Sequence, residues 1–400
     1  MSSFSTTRGG DVPSNDSTDV YRVMIVDDSA VIRGAIARVL EGDPSLRVAA
    51  SLCNGEMAIK SLQNEPVDVI VLDIEMPVMD GLTALPKLKA IDGAVQVIMA
   101  STLTQKNAEI SLRAMSLGAT DYIPKPSTSR EMAGTADDFR RELVGKVKAL
   151  GALARRSGVR VSTAHARVPY PPSRDATSTT MRPSAAPRPF TPAPAVKKEV
   201  VLRREALVHP DVIAIGSSTG GPQALFRVVK DMGGDLAQPV VITQHMPPSF
   251  TAILAEHISK QCQVNCAEAK DGETLQARRY YVAPGDFHML IENRAAGPTI
   301  RLTKDPQENF CRPAVDPMLR TLAAAYGKRI LAVILTGMGQ DGTKGCDVVV
   351  KAGGSVIAQD EASSVVWGMP GSVANAGLCS AVLPVGEIGG LVRQTAMRRL

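Results

Sequence analysis

Three carboxylates follow two short apolar runs in the first quarter of the chain. Asp27 and Asp28 come directly after the run Arg22–Val26, and Asp73 follows the run Val67–Leu72. If both runs are strands of one parallel sheet, the carboxylates meet at its carboxyl edge, where open α/β sheets place their sites. Because like charges repel, such a cluster is stabilised by a hard divalent cation such as Mg²⁺, which prefers oxygen ligands.

A hydroxyl and an ammonium group complete this first set of residues. Ser101 follows the run Val95–Ala100, and Lys125 follows the run Ala119–Ile123. Carboxylates, a hydroxyl and a fixed cation around one acid suit phosphoryl transfer, in which positive groups balance the developing charge. Any one of these residues could be an ordinary solvated loop residue, so the prediction of a phosphoryl-accepting site rests on the complete set.

A glycine-rich turn in the second half contains the pattern G-x-S-x-G at Gly216, Ser218 and Gly220. A sharp turn of this kind exposes one hydroxyl while the glycines let other groups approach closely. The helix that follows offers free N–H groups and a positive dipole end to a developing oxyanion. Taken alone, the turn is equally compatible with a phosphate-binding loop or with a purely structural turn.

Two residues beyond other apolar runs favour a hydrolase. His245 follows Pro239–Thr243, and Asp341 lies just past Ile330–Thr336. Three strand ends on one sheet edge would thus supply Ser218 as nucleophile, His245 as general base and Asp341 as orienting carboxylate. This order differs from that of the α/β-hydrolases and of the chymotrypsin-like enzymes. Rival histidines lie less favourably, at a linker end, in a helix and in an insert: His209, His257 and His288.

Apolar runs alternate with amphipathic stretches in both halves of the chain, which predicts two α/β domains with parallel sheets covered on both faces. In the first half, helices are expected at Ala30–Leu40 and Ala108–Leu117. The stretch Ala267–Thr303 has short alternating runs between turn residues and predicts a small antiparallel insert that includes Arg279–Ala283. Further strands are expected at Arg47–Leu52, Val212–Gly216, Ser355–Gln359 and Cys379–Val382.

Composition divides the chain into four segments. Residues 1–20 are polar and predict a disordered leader, 21–150 and 209–400 form the two domains, and 151–208 form a proline-rich basic linker. The net charge is +5, whereas 151–208 holds eleven Lys/Arg against three Asp/Glu, so the remainder carries 5 − 8 = −3. Because the positive charge belongs to the linker, dedicated nucleic-acid recognition is not supported.

Two further compositional features bear on location. No run of eighteen apolar residues is present, which predicts that no segment spans a membrane. The six cysteines form no C-x-x-C pair, which favours buried structural thiols in a reduced, cytoplasmic compartment.

The first half resembles the receiver domains of bacterial response regulators, with a flavodoxin-like fold. The matching residues are Val26–Ser29, Leu72–Gly81, Ser101 and Tyr122–Pro126. The resemblance implies that Asp73 is the phospho-acceptor, that a sensor histidine kinase is the phosphodonor, and that Mg²⁺ is the cofactor. The implied Mg²⁺ ligands are Asp28, Asp73 and the Glu75 backbone, with Asp27 in the acidic cluster. The implied switch residues are Ser101, Tyr122 and Lys125.

The second half resembles the catalytic domains of chemotaxis receptor-glutamate methylesterases, with a Rossmann-like fold. The matching residues are Ile215–Pro222, Gln244–Pro247, Arg312–Pro317, Leu335–Gly342, Gln359–Glu361 and Gly368–Pro370. The resemblance implies a Ser218–His245–Asp341 triad, with Thr219 and the Met338 backbone close to the oxyanion and no cofactor. Methylated chemoreceptors are the implied substrates, through demethylation of glutamates and deamidation of certain glutamines. Ser217 and Ala314 depart from the usual alanine and serine of that family, and the linker is longer than usual.

A complete phospho-acceptor site joined to a complete hydrolase site predicts a phosphorylation-regulated esterase that resets chemotactic adaptation. A non-enzymatic adaptor is one alternative, and it predicts no loss of function in a Ser218→Ala variant. A nucleotide-binding module that uses Gly216–Gly221 as a phosphate loop is another, and it predicts a dispensable His245. A DNA-binding output is less favoured, given the charge outside the linker.

Overall fold

The structure is a computed structural model that describes residues 20–102, 104–125, 132–157, 200–203 and 209–397. The expected leader, apart from residue 20, and most of the expected linker lie outside the described residues, as does Pro126. Within the described ranges, no helix is both long enough and apolar enough to cross a membrane.

The N-terminal domain alternates strands and helices around a parallel sheet with the order β2-β1-β3-β4-β5. The central strands are buried on both faces, which accounts for their continuous apolar runs. Its elements are β1 (Tyr21–Val26), α1 (Ala30–Glu41), β2 (Leu46–Leu52), α2 (Gly55–Asn64), β3 (Val69–Asp73), α3 (Gly81–Ile91), β4 (Gln96–Ser101), α4 (Gln105–Ser116), β5 (Asp121–Pro124) and α5 (Met132–Ser157).

Helix α3 begins directly against the end of β3. Asp80 caps it by accepting a hydrogen bond from the Thr83 amide at 2.7 Å. A Cβ on Gly81 would lie 2.0 Å from the Asp73 carbonyl oxygen, so only glycine permits this approach. The sequence Asp80-Gly81 thus fixes the loop that surrounds Asp73.

Helix α5 is 26 residues long and extends past the expected domain end. Leu143, Val147, Leu150 and Ala154 recur every three or four residues and are completely buried against the sheet. Residues 151–157, expected in the linker, are the last two turns of this helix, because the same buried stripe continues through them.

The C-terminal domain has a seven-stranded sheet with the order β14-β13-β12-β6-β7-β9-β8, and all of its pairings are parallel. The prediction of two parallel α/β domains is therefore confirmed. Its elements are β6 (Val212–Ser217), α6 (Gly221–Met232), β7 (Val240–Gln244), α7 (Pro248–Cys262), β8 (Asn265–Glu268), β9 (Arg279–Val282), β10 (His288–Arg294), β11 (Gly297–Thr303), α8 (Val315–Tyr326), β12 (Ile330–Ile334), α9 (Thr343–Lys351), β13 (Ser355–Gln359), α10 (Met369–Asn375), β14 (Ala381–Leu383) and α11 (Val385–Met397).

The expected antiparallel insert is present but smaller than predicted. Strands β10 and β11 form an antiparallel pair, whereas β9, expected to belong to the insert, pairs in parallel with β7 and β8 in the main sheet. The physical reason is burial on both faces, since the adjacent residues Tyr280 and Tyr281 are both fully buried. Each tyrosine hydroxyl reaches a backbone carbonyl, of Gly233 and Thr274 respectively.

The two domains pack against each other through apolar side chains. The Tyr122 ring, on β5, stacks on the Phe250 ring, on α7, with centroids 4.2 Å apart and an angle of 15° between the planes. Gln223 of α6 donates a hydrogen bond to the Ala119 carbonyl at 2.8 Å. Buried residues of both domains thereby form one continuous apolar cluster.

Candidate active site and phosphoryl-acceptor site

The carboxyl edge of the N-terminal sheet gathers the predicted acidic residues. Carboxylate oxygens of Asp27, Asp28 and Asp73 all lie within 4.8 Å of one another. Lys125, which follows β5, places its Nζ 2.7 Å from Asp73 Oδ1 and 2.8 Å from Asp27 Oδ2. The strand-end argument therefore located these four residues correctly in space.

Asp73 is buried but incompletely satisfied. Its Oδ1 accepts hydrogen bonds from Lys125 and from the Ile74 amide, whereas Oδ2 has no hydrogen-bond partner among the described residues. Burial raises the pKa of Asp73 to about 6, assisted by the nearby Asp27 and opposed by Lys125. An unpartnered buried oxygen beside two more carboxylates suits a divalent cation, so the donor set fits Mg²⁺.

The remaining receiver positions differ in their surroundings. Glu75 is exposed next to this edge, and its side chain forms an ion pair with Lys106 at 2.9 Å. Ser101, at the end of β4, is buried and accepts a hydrogen bond from the Ser111 hydroxyl at 3.2 Å. Tyr122 lies in the contact with the second domain, stacked on Phe250.

The serine turn lies between β6 and α6, at the carboxyl edge of the C-terminal sheet. The half-buried Ser218 donates its amide hydrogen to the Thr336 carbonyl at 3.0 Å, and its own carbonyl accepts from Gly221 at 2.7 Å. Gly220 has φ +72°, in the left-handed region that favours glycine. A Cβ on Gly337 would lie 2.8 Å from the Ser218 Cβ, so this glycine makes room for the Ser218 side chain.

His245 and Asp341 are held together at the same edge. The Nε2 atom of His245 lies 2.8 Å from Asp341 Oδ2. The buried Asp341 carboxylate also accepts four other hydrogen bonds, at 2.6 to 3.0 Å, from the backbone amides of Val315, Asp316 and Gly342 and from Asn309 Nδ2. The carboxylate is therefore fully satisfied and fixed in orientation.

His245 and Asp341 each favour the charged form of the other. Burial alone would raise the pKa of Asp341, but the hydrogen bond and charge of His245 and the backbone amides outweigh it, so the pKa is lowered. Burial would lower the pKa of His245, but Cys311 and Asp341 outweigh that effect, so the pKa lies well above its ordinary value. With Nε2 bound to Asp341, Nδ1 is the ring nitrogen left to accept a proton.

Ser218 and His245 are connected through the side chain of Gln244 rather than directly. Among the described residues, no hydrogen bond joins the Ser218 hydroxyl to the imidazole. Gln244 links the two residues instead, because its Nε2 donates to the Ser218 carbonyl at 2.9 Å and to the His245 carbonyl at 3.3 Å. Ser217 orients this amide by donating to Gln244 Oε1 at 2.7 Å, which gives the extra hydroxyl a structural partner.

Sequence reasoning missed two residues of this site, Asn309 and Cys311. Asn309 Nδ2 donates to Asp341 Oδ1 at 2.9 Å, and Cys311 Sγ lies 3.3 Å from His245 Nδ1. All six cysteines are free, and three are buried as expected, but Cys311 is half-buried beside the imidazole. Asn309 and Cys311 lie just before the Arg312–Pro317 motif, and this position is the one sequence signal that could have indicated them.

The rival histidines are engaged elsewhere. His288 Nδ1 accepts a hydrogen bond from the Ala314 amide at 3.2 Å, and its Nε2 faces the Pro306 carbonyl at 3.1 Å. His257 lies on helix α7, and His209 contacts Gln238. Ala314, a departure from the usual serine, is completely buried at the start of α8.

Comparison with known proteins identifies the family of this chain. A family model described as CheB methylesterase matches residues 213–392, and one described as response regulator receiver domain matches residues 23–137. The protein-glutamate methylesterase/protein-glutamine glutaminase of group 2 operon from Rhodospirillum centenum is 60% identical, and the match covers 97% of this chain and 96% of that protein. The chain belongs to the receiver-containing protein-glutamate methylesterase family.

Other relatives agree with this membership. A protein-glutamate methylesterase/protein-glutamine glutaminase from Azospirillum brasilense is 59% identical, over 95% of this chain and 94% of that protein. The solved CheB methylesterase catalytic domain of Thermotoga maritima is 41% identical and covers 47% of this chain and 99% of that chain, with a TM-score of 0.46. The two relatives that are 59% and 60% identical confirm the family resemblance and the enzyme class expected from the sequence.

In this member of the methylesterase family, the receiver lies on the edge that carries the serine turn. The side chain of Met338 packs against Gly145 of α5, where an added Cβ would lie 2.7 Å from the Met338 sulfur. The Arg141 guanidinium lies 4.1 Å from the centre of the exposed Phe310 ring. Burial raises the pKa of Asp121, and Lys146 and the nearby Thr219 hydroxyl partly oppose this rise. The Thr219 hydroxyl has no hydrogen-bond partner of normal geometry among the described residues.

Proposed function

We propose that this chain hydrolyses γ-methyl glutamyl esters of chemoreceptors and deamidates receptor glutamines, under the control of phosphorylation at Asp73. The single observation that carries the proposal is the His245–Asp341 pair, which lies beside the Ser218 turn at one sheet edge. The relatives' names supply the substrate class, a glutamate methyl ester or a glutamine amide in a protein. Activity on receptor signalling domains would place the enzyme in the cytoplasm.

The proposed reaction passes through an acyl-enzyme. Nδ1 of His245 takes the hydroxyl proton of Ser218 as the oxygen attacks the glutamyl carbonyl carbon. Backbone N–H groups of Thr219 and Met338 would face the oxyanion, next to the positive end of α6. The imidazolium then returns the proton to the leaving group, which departs as methanol or ammonia, and water releases the glutamate in the reverse sequence. Asp341 holds the ring and stabilises its positive form.

The proposed control uses the contact between the domains. In the unphosphorylated protein, α5 and β5 pack on Met338 and beside Thr219, which limits access of a receptor helix to Ser218. Phosphorylation of Asp73 by a chemotaxis histidine kinase would shift the domains toward an open state. Asp28, Asp73 and the Glu75 backbone would hold Mg²⁺, which neutralises charge during phosphoryl transfer.

The test is methanol release from a methylated receptor signalling domain by the full-length protein, with and without a small phosphodonor and Mg²⁺. Release should rise with the phosphodonor and fall by roughly 10⁶-fold in Ser218→Ala, as expected for loss of a serine nucleophile. An Asp73→Asn variant should keep the basal rate and lose the response to the phosphodonor.

Each alternative gives a different result in the same assay. Full activity in Ser218→Ala would exclude the serine mechanism. Dependence on the glycine turn without dependence on His245 would favour a nucleotide-binding loop. If the isolated catalytic domain and the unphosphorylated full-length protein had equal rates, the receiver would not limit access to Ser218, and the proposed control would be contradicted.

A further inference from the structure

We propose that Cys311 is a positioning residue of the esterase, whose thiol holds His245 Nδ1 and competes with Ser218 for it. The proposal rests on the proposed function, because it assigns a partner to the same general base. It concerns the resting enzyme, in which the base is held on the thiol rather than on the nucleophile.

Only one nitrogen of His245, Nδ1, is left for two partners, Ser218 and Cys311. Nε2 of His245 is committed to Asp341 at 2.8 Å, so the proton of Ser218 has to go to Nδ1. The group that lies at Nδ1 is the Cys311 thiol, with its sulfur 3.3 Å away. Within the described part of the chain, the Ser218 hydroxyl makes no hydrogen bond to the ring. The contact between Cys311 Sγ and Nδ1 must therefore open before the nucleophile can be deprotonated.

The thiol is placed by a loop that is firmly held. Glu308 and Cys311 exchange two backbone hydrogen bonds, at 3.2 and 2.9 Å. The intervening residues Asn309 and Phe310 have φ values of +53° and +62°, so both adopt the left-handed conformation. The Glu308 carboxylate pairs with Arg320 at 2.9 Å, which anchors the start of the loop to α8.

The same loop also holds the orienting carboxylate. Asn309 Nδ2 donates to Asp341 Oδ1 at 2.9 Å and to Asp316 Oδ2 at 3.0 Å. Two residues later, Cys311 reaches the other side of the imidazole. One short loop thus contacts both members of the base pair, Asp341 through Asn309 and His245 through Cys311, so the thiol position is coupled to the geometry of the site.

The charges around the ring agree with this arrangement. Cys311 and Asp341 together keep the pKa of His245 well above its ordinary value against the effect of burial. A protonated imidazole cannot accept the Ser218 proton. The Cys311 sulfur, whose charge and hydrogen bond favour the protonated ring by accepting the Nδ1 hydrogen, therefore restrains the base. The other charged groups on the packed elements are Asp316 and Arg320 of α8, Glu308 and Arg312 of the loop, and Arg141 of α5.

The first test needs no substrate. In full-length protein with ¹⁵N-labelled histidine, the five imidazoles can be titrated by NMR, and His245 is assigned from a His245→Gln variant. In Cys311→Ala the pKa of His245 should fall relative to the unsubstituted protein. In Cys311→Ser it should also fall, while Nδ1 keeps the chemical shift of a hydrogen-bonded nitrogen. Identical titrations in all three proteins would overturn the proposal, whatever the enzyme's substrate.

The second test measures turnover against pH in the presence of the phosphodonor and Mg²⁺. Release of Nδ1 in Cys311→Ala should raise kcat roughly 3- to 10-fold below neutral pH, the effect of losing one competing hydrogen bond, with KM unchanged. The acid limb of the profile should move to lower pH. Cys53→Ala, a half-buried thiol in the receiver, is the matched control and should leave the profile unchanged.

The outcomes separate the two proposals. A uniform loss of turnover at every pH in Cys311→Ala would indicate a merely structural thiol and would overturn the inference. Activity that survives in Ser218→Ala would instead remove the serine mechanism, and the NMR titration would still decide whether Cys311 governs the His245 ring.

Discussion

Asp73 and Asp341 are both buried carboxylates at the carboxyl edge of a parallel sheet, yet their surroundings are opposite. Asp341 accepts five hydrogen bonds, and its pKa is lowered. Asp73 has one oxygen without a hydrogen-bond partner among the described residues, acidic neighbours, and a pKa of about 6. The fold has thus completed one site and left the other short of positive charge.

The difference corresponds to two kinds of chemical work. A carboxylate that orients a histidine through every turnover benefits from hydrogen bonds to both of its oxygens, because each bond restricts its movement. A carboxylate that must accept a phosphoryl group and a cation needs a free oxygen and unbalanced charge before they arrive. The following substitutions test this comparison, from the largest expected effect to the smallest.

Asp341→Asn should have the largest effect. An amide cannot accept all five hydrogen bonds or stabilise an imidazolium, so the ring should lose its orientation and kcat should fall about 10⁴-fold. Methanol release by the phosphorylated protein is the measurement, and Asp347→Asn, which changes an exposed carboxylate of α9, is the control. A loss of less than tenfold would mean that Asp341 is not the orienting group.

Asp73→Asn should stabilise the protein at neutral pH. The folded pKa of about 6 lies above the ordinary value of 3.8, so Asp73 favours folding below pH 4 and this contribution disappears as the pH rises through 6. With a metal chelator at pH 7.5, the variant should gain about 2–3 kcal/mol in unfolding free energy. The two proteins should converge at pH 4, and an equal difference at both pH values would contradict the assignment. Added Mg²⁺ should narrow the gap by stabilising the unsubstituted protein.

Gly145→Leu tests the contact between α5 and Met338, through which phosphorylation at Asp73 is proposed to control the esterase site. A side chain at this position of α5 would collide with Met338, and overpacking of this kind costs about 1–3 kcal/mol. The closed arrangement should weaken, so methanol release without phosphodonor should rise about tenfold while the stimulated rate stays constant. Arg140→Leu, on the exposed face of α5, is the control, and an unchanged basal rate in Gly145→Leu would argue against closure at Met338.

Arg141→Ala should have the smallest effect. The guanidinium contributes a cation–π contact with the exposed Phe310 ring, which is worth about 0.5–1 kcal/mol. Basal methanol release should therefore rise about two- to fivefold, and Arg141→Lys, which keeps the cation, should show a smaller change. A larger rise in the lysine variant than in the alanine variant would exclude the cation–π contribution.

The sequence predicted what depends on strand ends and missed what depends on distant loops. Asp73, Ser218, His245 and Asp341 each follow an apolar run, and parallel topology brings such positions to one edge. The contact of Cys311 with His245 joins residues 66 apart through a left-handed loop, which no local pattern encodes. Strand β9 was wrongly assigned to the antiparallel insert. Both of its faces are buried because of its neighbours in the main sheet, which the pattern of polar and apolar residues within β9 does not show.

The apolar stacking of Tyr122 on Phe250 makes the closed arrangement sensitive to temperature. Separation of the domains exposes this surface to water, and hydration of apolar groups carries a positive heat capacity change. The attraction between such surfaces weakens on cooling, because near room temperature it is largely entropic. The ratio of the rate without phosphodonor to the rate with phosphodonor is therefore expected to increase at low temperature, although both rates fall.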